Sequence, residues 1–110
     1  MAEFIDTADL ENRPVRPQLT EGVTGRQLLA APFTMSLTRV VPGGRFAPHC
    51  DAYGHLFLTL SGCGEVEVEG ERQPLGPGQM VRIAAGEEHG YANLGKEEWL
   101  LLSLNLPQPE

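Results

Sequence analysis

The chain has 110 residues, a length at which one hydrophobic core forms, so a single domain is expected. Fifteen acidic residues against eight basic ones give a formal net charge of -7, which disfavours binding to the phosphate backbone of nucleic acids. No apolar run approaches the about 20 residues of a membrane span, and the first residues carry acids where a signal peptide needs positive charge, so the sequence predicts a cytoplasmic protein.

The first half of the chain shows an unpatterned segment followed by two strands. Residues 1–14 have no period and are predicted to form an arm. A strand is predicted over residues 33–41, with Met35 and Leu37 on one face and Ser36 and Thr38 on the other, and a turn is predicted at residues 42–44. Residues 55–60 are apolar on both faces, a pattern typical of a central strand covered on both sides.

Short strands with glycine-rich turns continue to the end of the chain. A hairpin loop at residues 62–64 is predicted to lead into a strand in which acids alternate with valines. In the last strand, one face carries Leu100, Leu102, Leu104 and Leu106. Trp99 lies on the other face, where it covers either the core or a partner subunit. Thirteen glycines and nine prolines leave few segments long enough for a helix, which favours a closed all-β barrel. The strands predicted in this half cover residues 65–69, 71–75, 79–83, 89–93 and 98–106.

All three histidines of the chain occur in a spacing typical of a metal site. His49 and Asp51 are two residues apart, so both side chains leave the same face of an extended segment. His55 follows four residues after Asp51, and His89 lies 34 residues further on. Cys50 is expected to point to the opposite face and to pack there. Three imidazoles and one carboxylate suit a divalent iron, manganese, nickel, cobalt or zinc ion.

The glycines around these residues extend the pattern into two motifs, Gly43-x5-His49-x-Asp51-x3-His55-x6-Gly62 and Gly78-x5-Ala84-x-Gly86-x2-His89-x3-Asn93. These motifs resemble the two motifs of the cupin superfamily. Asp51 stands where that family usually has its second histidine, and His55 stands where it has a glutamate. The resemblance implies a double-stranded β-helix over residues 15–107, with one divalent ion held at the barrel mouth by the three histidines and Asp51.

Asp51 has three possible roles at such a site. It binds the ion directly, it orients a ligand imidazole through a hydrogen bond, or it acts as the catalytic base that takes a proton from bound substrate. The side chain is shorter than the histidine that it replaces, so spacing leaves the three roles open.

Further pocket residues are predicted from the period of the strands. Phe57, Thr59 and Tyr91 lie at even spacings from histidine ligands and are expected to share their face. Tyr91 is a second catalytic candidate, because its hydroxyl either contacts substrate or belongs to the barrel wall. Arg39 and Arg82 are candidates to bind a substrate carboxylate, although strand parity leaves their faces open.

The resemblance implies two classes of function. One is a metalloenzyme that acts on an enolisable dicarbonyl or sugar-acid-like molecule as a dioxygenase, an isomerase or a lyase. The alternative is a non-catalytic module that binds or senses a small molecule or sugar. A homodimer is also expected, because small cupins commonly pair, with Trp99 as an interface anchor and residues 1–14 contacting the neighbour.

Overall fold

The computed structural model describes residues 1–107, and its regular structure is almost entirely β-strand, as the composition predicted. The one helical element in these residues is a short 3₁₀ turn at Thr7–Asp9, and none of their helical structure is long and apolar enough to cross a membrane. The nine strands are β1 (Asn12–Pro14), β2 (Thr20–Leu29), β3 (Thr34–His49), β4 (Gly54–Ser61), β5 (Gly64–Val68), β6 (Glu71–Leu75), β7 (Met80–Ile83), β8 (His89–Ala92) and β9 (Trp99–Leu106).

The strands pair antiparallel into a nearly closed barrel, in the order β6-β5-β8-β3-β9-β4-β7, with β2 and β1 added beside β3. The first half of β3 pairs with β2 and β9, and its second half pairs with β8. Between Val40 and Arg45 the register with β2 shifts, and Gly43 adopts a φ of 82°. The turn predicted at residues 42–44 is therefore wrong. Glycine accepts this conformation as a bulge, so the strand bends without ending.

The predicted hairpin between β4 and β5 is also wrong. β4 pairs with β7 and β9, whereas β5 pairs with β6 and β8, so the chain crosses between two parts of the barrel here. The glycines of this crossing pack closely against β9. A Cβ atom on Gly64 would lie 2.2 Å from the ring of Trp99, and one on Gly62 would lie 2.3 Å from a carbonyl oxygen. Close approach therefore requires glycine here.

Trp99 and Leu101 fill one end of the barrel interior, where both are fully buried together with Val40. The indole Nε1 donates a hydrogen bond to Thr59 Oγ1 at 3.0 Å. Trp99 is therefore a core residue, and the expectation that it anchors a subunit interface was wrong.

The amino-terminal segment is attached to its own chain. β1 pairs with β2 in the register Asn12 to Arg26, and the Arg26 guanidinium donates hydrogen bonds to the carbonyl oxygens of Ala8, at 3.2 Å, and Leu10. Residues 8–14 are therefore held by contacts within the chain, and their contact with a neighbouring subunit stays a prediction. β2 was not predicted, because its ten residues contain two glycines and lack a period of two.

The outward side of β4 lacks the cover that its sequence pattern predicted. His55, Phe57 and Thr59 point inward and are buried. The alternate residues Leu56 and Leu58 are only partly buried. A single chain therefore covers one face of this strand and not both.

Candidate metal centre

Four side chains converge at the end of the barrel interior that lies opposite Trp99. His49 ends β3 and pairs in register with His89, the first residue of β8. Asp51 follows in the loop after β3, and His55 is the second residue of β4. Three strands and one loop therefore bring together the four residues that the sequence proposed as ligands.

The three imidazoles surround one oxygen atom of Asp51. Asp51 Oδ2 lies 3.1 Å from His49 Nε2, 2.9 Å from His55 Nε2 and 3.7 Å from His89 Nε2. The possible ligand atoms of His49, Asp51 and His89 all lie within 4.8 Å of one another. His55 joins this group through its contact with the carboxylate. A metal ion held among these atoms would lie roughly 2.0–2.2 Å from each imidazole nitrogen.

Each imidazole is fixed through its other nitrogen. His49 Nδ1 lies 2.8 Å from the Ala47 carbonyl oxygen, and His89 Nδ1 lies 2.9 Å from the carbonyl oxygen of Glu87. Carbonyl oxygens only accept hydrogen bonds, so both Nδ1 atoms carry the proton and donate. His55 Nδ1 donates in the same way to Asn105 Oδ1 at 3.0 Å. In the neutral rings, Nε2 therefore carries the lone pair, and all three lone pairs are directed toward Asp51 Oδ2.

This arrangement fits a cation. His89 Nε2 is buried and has no hydrogen-bond partner among the described residues. The lone pairs of two more Nε2 atoms point at a carboxylate oxygen, and such pairs repel unless a proton or a cation lies between them. A divalent ion would satisfy all three nitrogens and the carboxylate together, and neutral imidazole with carboxylate is a suitable donor set.

The protonation states of the donors favour metal binding at neutral pH. Burial lowers the pKa of His55 and of His89 below the ordinary value, and nearby histidines lower both further, so the rings stay neutral. For Asp51, burial alone would raise the pKa. The hydrogen bond that Arg16 donates to Asp51 is the largest effect in the opposite direction, and the net pKa lies below its ordinary value, so the group is a carboxylate.

Arg16 is a site residue that the sequence did not reveal. Its Nη1 donates to Asp51 Oδ1 at 2.7 Å, and the guanidinium lies 5.9 Å from the ring centroid of Phe46. Phe46 in turn stacks on His49, with ring centroids 4.3 Å apart. The arginine lies 35 residues before its carboxylate partner, so no local spacing connects the two.

A cavity of about 280 Å³ lies beside the four donors. Two of the predicted pocket residues, Phe57 and Tyr91, belong to its wall. The sequence did not reveal the polar residues contributed by β3 and β9 or the aromatic ring contributed by the β3–β4 loop. These additional wall residues are Thr34, Ser36, Thr38, Tyr53, Ser103 and Asn105.

Tyr91 is packed among aromatic rings. Its ring makes edge contacts with Phe46, Phe57 and Trp99, at centroid distances of 5.4, 5.6 and 5.3 Å. Burial raises the pKa of Tyr91 well above its ordinary value, so the phenol stays protonated at physiological pH. Tyr91 can therefore offer a hydroxyl group to the cavity, but it is unsuited to act as a base.

Three predicted pocket residues lie outside the cavity, which corrects their assignment. Thr59 shares the inward face with Phe57 but lies deeper, where it donates to the Leu75 carbonyl oxygen at 3.3 Å and accepts from Trp99. Arg39 points outward and pairs with Glu98. Arg82 is exposed on the outer side of β7. For the two arginines, strand parity alone could not say which face of the strand points inward.

An antiparallel barrel with three histidines and a carboxylate at one end of its interior defines a small β-barrel protein with a candidate metal site. The chain matches the family model Cupin_2, described as a cupin domain, over residues 36–105, and it belongs to this family. The matched range contains all four donors and strands β4 to β8. No curated protein matches the chain.

Solved structures show the same fold at low identity. The polyketide cyclase RemF from Streptomyces resistomycificus superimposes with a TM-score of 0.84 at 24% identity, over 100% of this chain and 83% of that chain. A structure described as a predicted oxalate decarboxylase from Thermotoga maritima gives a TM-score of 0.86 at 16% identity, covering 96% and 100%. A sugar phosphate isomerase of the cupin superfamily from Silicibacter pomeroyi gives 0.80 at 16% identity, covering 97% and 77%. These similarities establish the double-stranded β-helix and leave the activity open.

Proposed function

We propose that this protein is a small metalloenzyme that binds one divalent transition metal and acts on an enolisable dicarbonyl or sugar-acid-like molecule, as a dioxygenase, an isomerase or a lyase. The main support is that three imidazole lone pairs converge on one carboxylate oxygen. One of these nitrogens, His89 Nε2, is buried and has no hydrogen-bond partner among the described residues. A divalent ion at this point would act as a Lewis acid toward a carbonyl oxygen. The proposed ligands are His49, Asp51, His55 and His89.

Residues of this chain orient a proposed metal ligand, exclude water from one side of the cavity and supply a carboxylate. Asn105 fixes the ring of His55, and this kind of contact sets the direction of a ligand lone pair. Phe57 and Tyr91 keep water from one side of the cavity, which strengthens electrostatic interactions inside it. If Asp51 does not bind the ion, its carboxylate is the group available to receive a proton from a carbon next to a carbonyl group.

The similar structures support substrates rich in oxygen. They are described as a polyketide cyclase, a predicted oxalate decarboxylase and a sugar phosphate isomerase. At about 280 Å³ the cavity lies near the lower end of the roughly 300–1,000 Å³ of ligand pockets, which favours a small substrate.

Metal-dependent turnover tests the proposal. Metal-free protein is loaded separately with manganese, ferrous iron, cobalt, nickel or zinc. Oxygen uptake is measured with acetylacetone, and exchange of the pyruvate methyl protons is measured in deuterated water. We expect one ion to give oxygen uptake or proton exchange well above that of the variant His89→Leu treated identically. If all five ions bind the parent no more tightly than they bind His89→Leu, the proposed metal site is wrong.

A non-catalytic binding module is the alternative, and one observation favours it. Asp51 is the only carboxylate among the described residues of the cavity wall, and it is already paired with Arg16. A module would bind metal and ligand in the same cavity without turnover. Metal-dependent ligand binding with neither oxygen uptake nor proton exchange would favour this reading.

The two cysteines support a reducing compartment such as the cytoplasm as the place of action. Cys50 and Cys63 are exposed free thiols, and such thiols persist where disulfides are kept reduced. The exposure of Cys50 also corrects the expectation that its side chain packs.

A further inference from the structure

Arg16 occupies a backbone position that disfavours its side chain. It lies in the turn between β1 and β2 with a φ of 41°, and the Leu19 amide donates to its carbonyl oxygen at 2.8 Å. This left-handed region is unfavourable for a residue with a Cβ atom, and it is readily adopted by glycine. An arginine in this position therefore needs a reason beyond the turn itself.

The side chain of Arg16 faces the cavity. Its bond to Asp51 Oδ1 uses one of the five N–H donors of the guanidinium, and 38% of the side chain is exposed. Among the described residues that line the cavity, Arg16 is the only one with a permanent positive charge. A planar guanidinium with remaining donors matches the two oxygens of a carboxylate.

The charges of the site favour an anionic ligand. Arg16 and Asp51 cancel each other, and histidines bind a metal ion as neutral imidazoles. A bound divalent ion would therefore leave the cavity with a net charge of about +2, because the remaining wall residues are uncharged. An anion that also carries an oxygen for the ion would complement this charge.

We propose that Arg16 binds the carboxylate of the substrate and that the substrate class is small organic anions with a neighbouring oxygen, such as 2-oxo and 2-hydroxy acids. This inference rests on the proposed function in placing the substrate and the divalent ion in the same cavity. Thr38 and Ser103, whose hydroxyl oxygens lie 2.9 Å apart on the wall, offer further contacts to an oxygen-rich ligand.

A pair of matched ligands tests this proposal. Pyruvate and diacetyl have nearly the same shape, but only pyruvate is charged. Calorimetric titrations use metal-free protein and protein loaded with manganese, and each is carried out on the parent and on Arg16→Gln. We expect pyruvate to bind the parent and to bind Arg16→Gln at least about tenfold more weakly, because charge-assisted hydrogen bonds are lost. Diacetyl binding should be equal in the two proteins.

Two further variants separate the side chain from the backbone. Arg16→Gly should lose pyruvate binding like Arg16→Gln. Both variants remove the guanidinium partner of Asp51, so Arg16→Gly should unfold at a temperature no lower than that of Arg16→Gln, because glycine relieves the turn. Arg13→Gln removes an exposed cation of the neighbouring β1 and should leave pyruvate affinity unchanged.

The proposal is overturned if Arg16→Gln weakens pyruvate and diacetyl equally or weakens neither. It is also overturned if the parent binds none of pyruvate, oxalate and 2-oxoglutarate. Charge-selective binding without turnover would count against the enzyme and keep this inference. Turnover of acetylacetone that is unaffected in Arg16→Gln, with no selectivity for anions, would support the enzyme and overturn this inference.

Discussion

The two ends of the barrel interior are both buried, but they treat polar atoms in opposite ways. Around Trp99, each polar group named here is paired: its indole donates to Thr59, which donates to a carbonyl oxygen. Asn93 nearby donates to the carbonyl oxygens of Val40 and Glu97, at 3.0 and 2.8 Å. At the histidine end, His89 Nε2 is buried and has no hydrogen-bond partner within the part of the chain that the structure describes. The polar groups of the first end satisfy one another, whereas the second end has a donor set that a cation would satisfy.

Both ends are reached by the same strand. β9 places Trp99 and Leu101 at one end of its inward face and Ser103 and Asn105 at the other. Alternate residues along a strand share a face, so one sequence period serves both a packed core and a polar cavity. We therefore expect substitutions at the Trp99 end to change stability and substitutions at the histidine end to change metal binding.

The largest expected effect follows loss of the buried indole. Trp99→Ala removes a fully buried ring and leaves the Thr59 hydroxyl without its donor, so the free energy of unfolding should fall by about 3–5 kcal/mol. Urea denaturation of the metal-free protein measures this. Trp99→Phe, which keeps most of the ring volume, serves as the control and should lose less.

Metal titration of the folded fraction of Trp99→Ala completes this experiment. The comparison between the two ends predicts that its affinity stays within a few-fold of the parent. A loss of metal affinity as large as that of a histidine variant would show that the two ends are not independent.

The second effect concerns His89. His89→Leu removes a ligand and should weaken metal binding by more than the roughly 10- to 100-fold typical of losing a partner of a ligand. The metal-free protein should keep its stability within about 1 kcal/mol, because the variant also removes a buried unpartnered nitrogen. Calorimetric titration and urea denaturation measure the two quantities. A large loss of stability in the metal-free variant would contradict the division between the ends.

The sequence predicted much of the fold and the proposed donors, and the reasons are local. Most strands from β4 onward follow short runs between glycine turns. The proposed donors are recognisable because spacing along one segment brings His49, Asp51 and His55 together. Arg16 and β2 were missed because long-range pairing places them, and neither carries a local period.

The two faces of β3 show a different limit of prediction from sequence. On β3, the polar side with Ser36 and Thr38 turns toward the cavity, and the apolar side with Met35 and Leu37 turns outward. A period of two identifies residues that share a face, but it does not say which face is inside. The usual rule that apolar faces point inward is reversed here, because the interior holds a polar site.

The smallest expected effect distinguishes the roles of Asp51. Asp51→Asn keeps an oxygen donor but removes the negative charge and leaves Arg16 unpaired beside the ion, so metal affinity should fall by about 10- to 100-fold. If Asp51 binds the ion directly, Asp51→Ala should lose as much affinity as His55→Ala, because the only anionic donor is gone. Asp51→His would then keep the metal in a site of four imidazoles. Competition titration ranks the four variants.

If Asp51→Ala binds metal as tightly as the parent while turnover of an identified substrate disappears, both the ligand role and the orienting role are excluded, and Asp51 acts as the base.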